Sequence, residues 1–125
     1  MRFIVSAALA AVACASAAAA FAEPAHLTDT QFIQANRCLG LMSSKTLGAP
    51  DAAAQLSRFL SNESVGRVPL AYDQADQARD DAQRQANRSN AYTNARLIAE
   101  RDGVCHQFVD AAATTAAAAR PAHAS

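Results

Sequence analysis

Residues 27–42 read LTDTQFIQANRCLGLM, and the reading of this stretch decides the fold. Thr28 is a natural helix N-cap, and Gln31 stands three residues on, where a capping-box partner belongs. Leu27 before the cap and Phe32 after it have the spacing of a hydrophobic staple. Phe32, Ala35, Leu39 and Met42 then recur at helical intervals, with Cys38 at the margin of the same face. Ile33 and Leu41 fall off that face, towards a second neighbour. The stretch predicts an amphipathic helix with a cysteine in its middle. It should stop near Leu47-Gly48, because glycine commonly terminates helices.

Downstream, Pro50 and Asp51 restart the chain. Proline suits a first helical turn and an acid suits its positive end. Leu56, Phe59 and Leu60 form the stripe of a second helix that should end between Asn62 and Gly66. Val65, Val68 and Leu70, around Gly66 and Pro69, read as a packed connection. From Leu70 to Ser89 the chain is mostly Asp, Gln and Arg. Tyr72, Ala75, Ala78, Ala82 and Ala86 make a thin seam through it, and Asp76–Arg79, Asp80–Arg84 and Asp81–Arg84 stand at helical pair spacings. That charge run is a solvated helix face.

Asn87 to Asn90 is the weakest helical stretch, and Ser89 or Asn90 can cap a new helix or sit exposed in a continuing one. Leu97, Ile98, Arg101, Cys105, Phe108, Val109 and Ala112 then hold one register. The register passes through Gly103, so a single helix is expected there at a cost near 1 kcal/mol. A turn at Asp102-Gly103 is the alternative. Ala116 to Ser125, with Pro121, should fray.

Upstream, Arg2 is followed by an apolar, alanine-heavy run, and Ala20-Phe21-Ala22 precedes Glu23-Pro24. This is the pattern of a secretory signal peptide over residues 1–22, cleaved between Ala22 and Glu23. A membrane anchor fits less well, since the run ends in a cleavage pattern rather than a charged stop. A lipid-anchor signal would use Cys14, but Ala11 is a poor residue three places before it. The expected location is therefore the periplasm or the medium.

Removal of the signal leaves two cysteines, Cys38 and Cys105. In an oxidising compartment an even pair favours a disulfide. The expected architecture is all-α: a small bundle of three to four helices over residues 23–115, its first and last helices clamped by that bond, with a tail over 116–125.

Composition narrows the function. Eleven basic and eleven acidic residues cancel, so no net field draws the chain to nucleic acid or anionic membrane. There are five phenylalanines, two tyrosines and no tryptophan, so the core rests on small residues. Of the three histidines, His26 precedes the first helix and His123 lies in the tail. Cys105-His106 lacks the second cysteine of a haem attachment motif, because position 102 is Asp. No ligand spacing suggests zinc. Cys105 and His106 diverge by about 100° on a helix, which argues against a nucleophile–base pair. Ser43-Ser44-Lys45 has no serine–lysine spacing, and Asp76, Asp80 and Asp81 are interleaved with arginine. Asn62-Glu63-Ser64 and Asn87-Arg88-Ser89 match the glycosylation triplet, which is common by chance.

No cofactor, metal or catalytic residue is expected. What remains is a non-enzymatic exported protein that binds another periplasmic protein or supports envelope homeostasis. A periplasmic stress chaperone or a toxin-immunity protein is the alternative. A small redox or hydrolytic enzyme stands behind both.

Overall fold

The computed structural model describes residues 26–120. Helix α1 (Asp29–Met42) starts at the predicted cap. The Gln31 N–H donates to the Thr28 hydroxyl at 3.2 Å, and the Thr28 N–H donates to the Gln31 side chain at 3.0 Å. The helix ends before Leu47-Gly48. The Ser44 hydroxyl donates to the Leu41 carbonyl and accepts from the Leu47 N–H, a local alternative to further helix. Helix α2 (Pro50–Glu63) carries its proline in the first turn and buries Ala53, Leu56 and Leu60. Helix α3 (Pro69–Arg88) buries Ala71, Ala75, Ala82 and Ala86, most of the predicted seam.

Helix α4 (Ala91–Asp102) begins at Asn90, whose side chain accepts from the Thr93 N–H at 2.9 Å. Helix α5 (His106–Ala119) follows after a break. The continuous helix expected through Gly103 is therefore corrected. The Cys105 N–H donates to Glu100 O and the His106 N–H to Gly103 O, so the i to i−4 ladder is interrupted. Cys105 stands at the N-cap of α5 and not in mid-helix. The break lets α4 lie along α1 while α5 turns to α2. Helix α5 also continues through Ala116–Ala119, into the segment expected to fray. The expected signal peptide with its Ala22–Glu23 junction, Cys14 and residues 121–125 lie outside the described residues.

The fold is all-α with one inter-helix disulfide, as expected. Its centre is the pair α1 and α3, which make the most extensive contact. They run parallel. Phe32 meets Tyr72 near the starts of the two helices, with ring centroids 6.2 Å apart. Beyond the other end of α1, Thr46 donates to the Ala86 carbonyl at 2.8 Å and the Lys45 N–H donates to Asn87 at 3.2 Å. Helix α2 is thus the crossover that returns the chain to its starting end. Gly40 permits the closeness: a Cβ there would fall 2.1 Å from the Arg79 carbonyl oxygen.

Around this pair the core gathers Phe32, Leu39, Leu41, Leu56, Leu60, Leu97, Phe108 and the two cysteines. Helix α4 buries only Leu97. Polar ties hold it instead. Arg37 grips Glu100 with two bonds of 2.6 and 3.0 Å, and Arg101 donates to the Leu47 carbonyl at 3.0 Å. Among the described residues no helix is long and apolar enough to cross a membrane.

Candidate interaction surfaces

Cys38 and Cys105, paired in expectation by count alone, are joined in the structure, with Cα atoms 5.5 Å apart. Both are buried in the core. Thiol–disulfide exchange needs a sulfur that an external thiolate can reach, and burial shields both sulfurs from such attack. Cys105 brings no base to itself: His106 faces solvent and pairs with Asp110 at 3.3 Å. Among the described residues no three His, Cys, Asp or Glu side chains group to hold a metal ion.

Perturbed ionisation also points to structure. The Arg37 guanidinium is raised above its ordinary value chiefly by its hydrogen bond to Glu100. The Asp102 carboxyl is held below the usual carboxylate range, first by its hydrogen bond from Arg101. The first tethers α4 to α1, and the second is a pair within the last turn of α4. The acids read as a solvated face behave that way. Asp76 pairs with Arg79, and Asp81 with Arg84.

The informative surface is the turn between α2 and α3. It was expected to be packed, and the structure inverts it. Val65, Val68 and Leu70 are 82%, 57% and 65% exposed, while the Arg67 side chain between them is only 9% exposed. Arg67 reaches inward and binds four groups. It donates to the Glu63 carbonyl at 2.7 Å, the Leu27 carbonyl at 2.6 Å, the Asp29 carboxylate at 2.7 Å and the Glu63 carboxylate at 3.4 Å. Its guanidinium also sits 4.4 Å from the Phe32 ring centroid, within cation–π range. Glu63 completes the knot by accepting from the Leu27 N–H at 2.9 Å and pairing with His26 at 3.2 Å.

The turn is fixed from outside as well. Gly66 has φ +80°, a left-handed conformation that costs glycine little. Pro69 opens α3, and the Tyr72 hydroxyl donates to the Ser64 carbonyl at 2.5 Å. The result is a rigid corner with aliphatic side chains outside and a satisfied cation inside. The sequence signal that could have found it is one arginine inside a run of aliphatics, next to a glycine and a proline.

A second surface is the cleft between α2 and α5, of about 490 Å³. Its floor is Ala54, Phe59, Ala112, Ala116 and Ala119, and Arg58 and Arg120 stand along it. Neither arginine makes an ion pair or a side-chain hydrogen bond among the described residues. No protein-family model matches the chain, and neither do curated proteins or solved structures.

Proposed function

We propose that this is a non-catalytic exported protein that binds another protein of the periplasm or extracellular space through its α2–α3 corner. One observation carries the reading: three aliphatic side chains are held in solvent by a turn that is itself immobilised. Scattered surface aliphatics are ordinary, whereas contiguous ones on a rigid support mark contact surfaces. A fixed corner also loses little freedom on association. Export is supported by the N-terminal pattern and by a disulfide of the kind that persists in oxidising compartments.

The test is co-purification from the native host, with the partner identified by mass. The triple variant Val65→Ser, Val68→Ser, Leu70→Ser should lose that partner while its thermal unfolding stays within a few degrees of the parent. Retention of the same partner by the variant would remove the corner from the proposal. The intact mass of the native protein decides the export element: a chain beginning at Glu23 with no free thiol is expected.

A second reading, a chaperone that opens in acid, has one observation in its favour. The corner is founded on the Glu63 carboxylate, which accepts the Leu27 N–H and faces Arg67. Dye binding that rises below pH 4 is the expected sign, and a flat response between pH 2 and 7 eliminates this reading.

A further inference from the structure

Beyond the corner, the cleft between α2 and α5 has the form of a receptor for a third helix. Asp51, Ala54, Gln55, Arg58, Phe59 and Asn62 line it from α2, the i, i+3, i+4, i+7, i+8, i+11 positions of one helix face. Ala112, Thr115, Ala116, Ala119 and Arg120 do the same from α5. Asp51 to Asn62 spans about 16 Å at 1.5 Å per residue, the length of three helical turns. Alanine at most floor positions leaves room for another backbone to come close, and Phe59 offers one large apolar contact. An open trough between helical ridges is the setting in which an amphipathic helix lays its apolar face.

Charge selects the occupant. Arg37, Arg67, Arg79, Arg84 and Arg101 pair with carboxylates; Arg58, Arg88, Arg96 and Arg120 have no such partner among the described residues, and of these four only Arg58 and Arg120 line the cleft. The one acid of the cleft, Asp51, lies in the first turn of α2, where the helix dipole already favours it. The chain's own remaining segments do not complement the two arginines. Residues 1–25 and 121–125 carry a single acidic side chain between them, Glu23. The acidic helix of a second copy fits no better. Asp76 and Asp81 of α3 are already paired, and Asp73, Gln74, Gln77 and Asp80 give its outer face no apolar stripe.

We propose that the α2–α5 cleft binds an amphipathic helix of a partner protein, its apolar stripe on the alanine floor and its carboxylates on Arg58 and Arg120. This deepens the binding-protein reading and rests on it, but it does not depend on the corner.

The probe is a fluorescein-labelled 18-residue helical peptide of Ala, Leu and Glu, with a leucine stripe flanked by glutamates. Its twin has every Glu replaced by Lys. Anisotropy titrations use the oxidised protein purified from its host. The acidic peptide should bind at least tenfold tighter than its twin. Arg58→Glu with Arg120→Glu should reverse that order, and Ala116→Trp should abolish binding of both. All of these positions are exposed, so circular dichroism should be unchanged. Absence of binding, equal binding of the two peptides, or an order that the double arginine variant leaves intact overturns the cleft proposal. A dimer in sedimentation that the double variant dissolves overturns it too, by making a second copy the occupant. The corner variant should bind the acidic peptide as the parent does. Loss there alone would move the helix to the corner and leave the broader function standing.

Discussion

Arg67 is where one side chain decides most. Its planar fork meets two backbone carbonyls and two carboxylates that lie far apart in the chain. A lysine keeps the charge but cannot serve that geometry. Arg67→Met would go further and leave the largely buried Glu63 carboxylate without its cation, a change of the class that costs about 3–5 kcal/mol. Urea unfolding should show the larger loss for Met and an intermediate one for Lys. Asp102 gives a pH-dependent counterpart. Its folded ionisation lies below its ordinary value of 3.8. The Arg101–Asp102 pair therefore contributes stability above that value, lost as pH falls through the depressed folded value. Asp102 is exposed, so the contribution is small. Titration by NMR should place Asp102 below the ordinary carboxylate range, and Arg101→Gln should return it towards that range.

Among elements, the pair α1 and α3 sets the tolerances. Gly40→Ala would drive a methyl group into the Arg79 carbonyl. Backbone cannot yield as a side-chain tip does, so the helices must separate, at a cost of about 2–3 kcal/mol. A fall in melting temperature of about 8 °C or more is expected for a domain of this size, and an unchanged melting temperature would contradict the packing. This close approach had no signature in the sequence, because a lone glycine in a helix reads only as a propensity penalty. The start of α1 was fully legible, since Thr28 and Gln31 lie within one turn and need no tertiary partner. The start of α2 at Pro50 and the alanine seam of α3 were legible for the same local reason. The break at Gly103 was not. Leu97, Cys105, Phe108 and Ala112 all face the core, so the register survives while the axis turns, and periodicity cannot see the turn. The corner was hidden more deeply. Burying Arg67 depends on groups from Leu27, Asp29 and Glu63 that only the folded chain assembles.

For the molecule as a whole, the disulfide is the main covalent restraint. It closes a separation of 67 residues, and on the chain-entropy account such a loop is worth about 4 kcal/mol. Cys38→Ala with Cys105→Ala should lose about that much in urea unfolding at neutral pH. With a core built on alanine, a loss of that size is a large share of the stability of a small domain. Reductant alone should act slowly on the native protein, since both sulfurs are buried, and rapidly once denaturant opens it. The compartment inference depends on the same bond, because a chain that needs it is poorly suited to a reducing cytoplasm.

The parallel arrangement of α1 and α3 has a consequence for synthesis. Beyond its local cap, the tertiary ties of the described front of the chain come from further along it: Leu27 waits for Glu63 and Arg67, Phe32 for Tyr72, Arg37 for Glu100 and Cys38 for Cys105. A nascent chain can therefore cap its first helix early but cannot pack it early. Its packing completes late, when the segment carrying Glu100 and Cys105 has been made.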